Sequence, residues 1–200
     1  MRIIAGTKRG MVLFSPKGDG SRPITDRVKE SLFDVLLNYG LPSAEPVADL
    51  FCGVGSLGLE ALSRGAAFVT FVERDPAIIV TLERNIEKAG FVKESRVIRA
   101  DAFKVGAPIE KEIENRKLKI ENSRYALIFV DPPYADTADV GENSSLAQIL
   151  YLLQNQMAEQ GLVAVRTRRN TALLDQYGQF NVIDRRRWGT MAIVILRKCA

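Results

Sequence analysis

Histidine is absent from the 200 residues of this chain, and that absence removes several reaction classes at once. A Ser-His-Asp triad, a Cys-His nucleophile pair and an imidazole-ligated metal all need an imidazole. Proton traffic at any active site is therefore left to carboxylates, tyrosine, lysine or water. Cysteine is nearly absent too. The two that occur, Cys52 and Cys199, fit no C-x-x-C or Cys/His spacing, which argues against disulfides and against a bound metal. No apolar run approaches the roughly 20 residues needed to span a bilayer. The opening Met1-Arg2-Ile3-Ile4-Ala5-Gly6 lacks the apolar stretch and cleavage site of a signal peptide, so the expectation is a cytoplasmic protein. The Walker pattern G-x-x-x-x-G-K-[ST] is missing as well, which leaves phosphate-loop ATP hydrolysis unsupported. What remains is an ordinary globular composition, 46% hydrophobic and 26% charged, in a length suited to one domain with a small extension.

The net charge of +4 is mild, but its distribution is uneven. Residues 1–22 carry Arg2, Lys8, Arg9, Lys17 and Arg22 against Asp19 alone. Arg166, Arg168 and Arg169, then Arg185, Arg186 and Arg187, cluster late. Clustered cations suit a polyanion such as nucleic acid. Residues 2–5 and 11–14 read as two short strands joined through residues 6–10, a basic β-hairpin extension over residues 1–23 that precedes a main domain at 24–200. Thr25 can cap a helix with Val28, Leu32, Val35 and Leu36 on its inner face and Asp26, Arg27, Lys29, Glu30 and Asp34 outside.

From Val47 onward the pattern alternates: strand 47–51, helix 56–64, strand 68–73, helix 76–89, strand 96–99, a polar segment, strand 125–130, helix 145–156 and strand 162–167. Such alternation predicts an α/β fold with a parallel sheet covered by helices on both faces. Residues 182–196 contain two strands with no helix between them, which predicts an antiparallel hairpin on the sheet edge. Residues 105–124 mix both signs of charge and read as a solvated surface helix or insertion with no chemical role.

Two stretches carry chemistry. "DLFCGVGSLGLEAL", from Asp49, ends a strand and enters a helix through Gly53-Val54-Gly55, where glycine permits tight turning and close approach of a ligand to the backbone. Glu73 ends the next strand about 20 residues later, where a carboxylate can accept the hydroxyls of a ribose. Asp101-Ala102 follows the third strand. The spacing indicates a nucleoside cofactor. Gly53-x-Gly55-x-x-Gly58 also satisfies a dinucleotide fingerprint, so an NAD-dependent oxidoreductase is a rival. Asp49 at the mouth of the turn opposes a pyrophosphate but attracts an ammonium or sulfonium. Asp101 can accept the amine of an adenine. S-adenosylmethionine fits both. The second stretch, "FVDPPY", runs a buried strand into Asp131, Pro132, Pro133 and Tyr134. Two prolines make a stiff stub without N–H groups, so Asp131 and a backbone carbonyl can accept the hydrogens of an amine while Tyr134 stacks on the ring that carries it.

These residues resemble a known family. "MRIIAGTKRG", "RPITDRVKESLFDVL", "DLFCGVGSLGLEALSRGA", "FVERD", "IFVDPPY" and the closing hairpin together are similar to the RsmD-type small-subunit (16S) rRNA (guanine-N2)-methyltransferases. The resemblance covers nearly the whole chain. The glycine turn and D-P-P-Y specify only the class of amino-methyltransferases, whereas the opening decapeptide and R-P-x-T-D-R-V-K-E are narrower. The resemblance implies a Rossmann-like class I S-adenosylmethionine-dependent sheet and rRNA as partner. It places Asp49, Gly53 and Gly55 with the methionine part of the cofactor, Glu73 with its ribose, Asp101 and Ala102 with its adenine, and Asp131 to Tyr134 with the target base. RNA contacts are expected from Arg2, Lys8, Arg9, Arg22, Arg27, Arg185, Arg186 and Arg187, in a monomer without metal. Ile24 stands where the family commonly has a second threonine, and Arg166 where a glutamate is common. A DNA adenine-N6 or cytosine-N4 methyltransferase would use the same D-P-P-Y chemistry, but no separate target-recognition domain is evident in the chain.

Overall fold

The computed structural model describes residues 1–15, 24–108 and 124–199. Arg22 and most of the 105–124 insertion lie outside the described residues. Five parallel strands, β1 (Pro46–Leu50), β2 (Phe68–Glu73), β3 (Ser95–Arg99), β4 (Tyr125–Val130) and β5 (Met157–Arg168), are followed by β6 (Gln176–Tyr177), β7 (Phe180–Trp188) and β8 (Met191–Lys198). The sheet order is β3-β2-β1-β4-β5-β8-β7-β6, with β8 antiparallel to both β5 and β7. The closing hairpin expected from the sequence is therefore present. The chain winds from β1 toward β3, then returns to lay β4 on the other side of β1. That reversal opens a crevice beyond the carboxyl ends of β1 and β4, the usual ligand position in such sheets.

Helices α1 (Asp26–Leu37), α2 (Ser56–Ser63) and α3 (Pro76–Ala89) share one apolar core with the sheet, while α5 (Ser145–Leu153) packs in a second core on the opposite face, near the short α4 (Ala102–Val105). Local signals set several boundaries. Thr25 accepts a hydrogen bond from the Val28 amide at 3.4 Å, Asp75 caps α3 through Ala77 at 2.8 Å with Pro76 in its first turn, and Gly90, at φ 73°, ends it. The polar segment after β3 forms α4 because Asp101 accepts from the Phe103 amide at 3.1 Å. The helix expected to run to residue 156 stops at Leu153. Gln156 is drawn off to accept from the Ala107 amide at 2.7 Å and donate to the Val105 carbonyl at 3.0 Å, and β5 begins at once at Met157.

The N-terminal segment makes a single bridge, Arg2 to Val12, around a 3-10 turn at Gly6–Lys8, rather than two full strands. Ile3 and Leu13 are buried in the core shared with α1, α2 and α3. Lys29, expected on the outer face of α1, is fully buried. Its ammonium lies 3.3 Å from Glu60 of α2 and donates to the Arg2 carbonyl at 2.6 Å and the Ser56 hydroxyl at 3.2 Å. Glu60 in turn accepts from the Ile4 and Ala5 amides at 2.7 and 3.0 Å and from Arg64 at 2.8 Å. Apolar periodicity assigns every charged residue to the outside and cannot reveal a buried pair. Gly6, at φ 79°, completes the seam, since a Cβ there would fall 1.8 Å from the Ser63 carbonyl oxygen.

Removing one member of this buried pair leaves an uncompensated charge and two amides without an acceptor. Glu60→Ala is expected to lower the unfolding free energy by about 3–5 kcal/mol, read from the midpoint of urea unfolding. A loss below about 1 kcal/mol would show that water replaces the carboxylate.

Candidate active site

A cleft of about 700 Å³ opens over the carboxyl ends of β1, β2 and β4, within the size range of small-molecule sites. Register explains what it contains. On β1, β2, β4 and β5 the residues facing α1, α2 and α3 are Val47, Val69, Phe71, Leu127, Phe129, Leu162 and Ala164. Continuing each strand by steps of two on the same side brings Asp49, Glu73, Asp131 and Arg166 to that face. Three carboxylates and one guanidinium therefore converge from four strands, and all four line the cleft.

Each carboxylate is held differently. Asp49 is buried and accepts from the Gly58 amide at 2.8 Å. Burial pushes its pKa well above the usual carboxylate value of 3.8; the Gly58 hydrogen bond opposes the rise, and the charges of Asp131 and Glu73 add to it. Glu73 accepts from the Gly53 amide at 3.0 Å with one oxygen and from Arg74 and Asp75 at 2.8 and 2.9 Å with the other, so it also shapes the glycine turn. Asp131 accepts from Arg166 Nε at 2.5 Å through Oδ1, leaving Oδ2 without a hydrogen bond among the described residues. Burial raises its pKa and Arg166 opposes the rise by charge and hydrogen bond.

The glycines divide their work. Gly53 and Gly55 have φ 54° and 84°, in the region that disfavours side chains. A Cβ on Gly53 would meet nothing within 4 Å, while one on Gly55 would strike Leu82 at 2.5 Å and one on Gly58 would strike Phe71 at 2.3 Å. Gly53 thus borders open cleft, and Gly58 serves the packing of α2 on β2. The amides of Gly53 and Gly58 are both taken by acidic side chains, an unfavourable cradle for a pyrophosphate. Cys52 is buried, and burial together with the charges of Asp49 and Glu73 pushes its thiol well above the ordinary value, the opposite of an activated nucleophile.

Of the residues predicted from sequence, Asp49, Gly53, Glu73, Ala102 and Asp131 to Tyr134 line the cleft; Gly55 and Asp101 lie outside its lining. Asp101 spends one oxygen on capping α4. Met1 and Ile24 also border the cleft, as do Phe51, Ile78 and Arg168. Phe51 has φ 56°, an outlier for an aromatic residue at the tip of β1. Arg168 stands over the Tyr134 ring at 5.3 Å. The end of β5 held the available signal for the two arginines, because every strand end on this side of the sheet faces the crevice. Among the cations expected to meet RNA, Arg2 pairs with Asp26 at 2.7 Å on the surface, and Arg9 and Arg27 are exposed. Arg185 and Arg186 each bind an aspartate, Asp175 and Asp184, at 2.8 Å. Their strand, β7, is separated from β1 by β4, β5 and β8.

Comparison with known proteins agrees with this geometry. The family model described as "Conserved hypothetical protein 95" matches residues 1–197. YlbH of Bacillus subtilis (strain 168), described as a candidate rRNA methyltransferase, is 32% identical over 206 residues, with 99% of both chains covered. The chain belongs to the RsmD-type rRNA methyltransferase family. The ribosomal RNA small subunit methyltransferase D of Escherichia coli (strain K12) is 38% identical over 136 residues, which cover 67% of this chain and 60% of that protein. The solved structure of Escherichia coli yhhF, described as a candidate methyltransferase, superposes with a TM-score of 0.79 at 28% identity, covering 100% of this chain and 98% of that one. The RsmD-type assignment agrees with the α/β sheet and closing hairpin expected from the sequence.

The raised pKa of Asp49 has a defined sign in stability. A carboxyl with a folded pKa above its unfolded value stabilises the native state fully below the unfolded value, and that contribution is lost as pH rises through the folded value. Asp49→Asn cannot ionise and escapes the loss. The unfolding free energy of the variant minus that of the wild type should therefore grow from about pH 4 toward neutrality, in urea titrations across that range. A difference independent of pH would mean that Asp49 ionises as freely in the folded as in the unfolded chain.

Proposed function

We propose that this protein transfers a methyl group from S-adenosylmethionine to the exocyclic N2 of a guanine in small-subunit (16S) rRNA. On this reading it acts in the cytoplasm as a monomer, on rRNA within the assembling or assembled small subunit. The observation that carries the chemistry is the D-P-P-Y turn at the crevice between β1 and β4. There Asp131 keeps one oxygen without a hydrogen bond among the described residues, and Pro132, Pro133 and Tyr134 line the same cleft.

The cleft suits the cofactor: Gly53 borders open space and the carboxylates of Asp49 and Glu73 lie along its floor. Asp49 would hold the cationic methionine part, Glu73 would accept from the ribose hydroxyls, and Ala102 would lie at the adenine end. The bound cofactor supplies an electrophilic methyl on a sulfonium. The guanine amine is a poor nucleophile because its lone pair is conjugated with the ring. Asp131 and the Pro132 carbonyl accept hydrogen bonds from that amine, and these strengthen as positive charge develops on nitrogen, which favours the transition state over the ground state. Holding the base in place against the bound cofactor would supply much of the remaining rate. No covalent enzyme intermediate is needed, in keeping with the raised thiol of Cys52. A DNA amine methyltransferase would share this turn; family membership and the basic N-terminal segment favour rRNA.

Two measurements test the reading. Methyl transfer assayed in parallel on unmodified small-subunit particles, naked rRNA and DNA should give N2-methylguanine in rRNA; modification of DNA alone would overturn the assignment. Asp131→Ala should lower kcat by about 10²- to 10³-fold with cofactor affinity retained, whereas Asp131→Asn separates shape from charge. The docking surface has its own test. Neutralising Lys8 and Arg9 together should weaken RNA binding and flatten its salt dependence by roughly 0.7–0.9 in log–log slope for each phosphate no longer neutralised. An unchanged slope would remove the hairpin from the docking surface.

A further inference from the structure

The end of β5 presents two arginines to the D-P-P-Y turn of β4. Parallel pairing runs through Phe129 with Ala164 and Val130 with Val165, so the next step sets Asp131 beside Arg166. Arg168, two residues further and hence on the same side of β5, stands over Tyr134 at 5.3 Å. The Tyr134 hydroxyl is buried without a hydrogen-bond partner among the described residues. One strand thus grips both ends of the turn, at the acid and at the ring.

We propose that Arg166 is a positioning residue that fixes the Asp131 carboxylate by its Oδ1 and keeps it ionised, so that Oδ2 is presented as an acceptor to the target amine. The inference rests on the methyltransferase reading for its catalytic consequence but not for its electrostatic one. A largely buried carboxylate has two ways to settle, taking up a proton or pairing with a cation. A protonated Asp131 would present a donor and lose its value to an amine with hydrogens to give away. Of the charged groups lining the cleft, Asp49 on β1 and Glu73 on β2 are acids that offer no counter-charge, Arg74 follows the end of β2, Arg168 stands over the Tyr134 ring, and Arg166 is the cation paired with Asp131.

The test has one readout without substrate and one with it. Asp131 is followed by carbon NMR of its side-chain carboxyl, assigned by comparison with Asp131→Asn, across pH in the wild type, Arg166→Met and Arg166→Lys. Arg166→Met should move the Asp131 titration upward by about 1–3 pH units, the range an opposite charge within hydrogen-bonding distance commands. Arg166→Lys, which keeps the charge, should leave it close to wild type. On small-subunit particles the acid limb of the kcat–pH profile should move with the NMR titration in Arg166→Met, and should stay in place in Arg168→Met. An Asp131 titration unmoved in Arg166→Met overturns the proposal whatever the substrate. A moved titration with no methyl transfer to any RNA by the wild type would instead leave the ion-pair role standing and overturn the substrate reading. Should Arg166→Met fail to fold, Arg166→Gln serves in its place with the same two expected outcomes.

Discussion

The buried carboxylate of Glu60 is the joint on which the arrangement depends. It receives two amides of the N-terminal segment, the side chain of Arg64 just past the end of its own helix, and the Lys29 ammonium of α1. Taking both charges out of water is costly, and the cost is offset only because the hydrogen-bonding capacity of the pair is filled. Three elements distant in sequence are locked by this one group. Asn85 repeats the device on α3, accepting from and donating to the Phe14 backbone at 2.7 and 3.1 Å while donating to the Val54 carbonyl at 3.1 Å. Val54 belongs to the glycine turn. The basic segment is thereby tied by buried polar contacts to the loop that borders the cleft, and Met1 is brought to the rim.

The cleft shows the complementary use of charge. Asp49, Glu73 and Asp131 line one cleft, and burial raises the pKa of Asp49 and of Asp131. Backbone amides hold the first two and a guanidinium holds the third. The difference suits their neighbourhoods. Asp49 and Glu73 flank the glycine turn, whose amides are fixed donors, whereas Asp131 begins a turn in which two prolines have no amide to offer. Its counter-charge has to come from a neighbouring strand, and β5 supplies it.

Much of this was legible from local pattern. The alternation of strands and helices, the Asp75-Pro76 start and Gly90 stop of α3, the Thr25 cap and the D-P-P-Y turn depend on residues within a few positions of one another, and caps and turns are decided at that range. The class of ligand could be read for the same reason, since Gly53, Glu73 and Asp131 each follow directly on a strand end. The end of the helix at Leu153 was not legible, because Gln156 is captured by the backbone of Val105 and Ala107, far away in the chain.

Sequence by itself determined the alternating strands and helices of the main sheet, though not the single bridge of the N-terminal segment or the start of β5 at Met157, together with the glycine- and proline-built turns and the acids at strand ends. Tertiary structure alone decided the partners of the charged groups. Lys29 reads as a surface residue until the N-terminal segment and Glu60 enclose it. Arg166 reads as a departure at a strand end, with no partner assigned, until β5 pairs with β4 in a register that sets it against Asp131. The physical reason is one of range: propensity, capping and turn geometry act through near neighbours, whereas the cost of burying a charge is met only by whichever group the strand order and helix packing bring within about 3 Å.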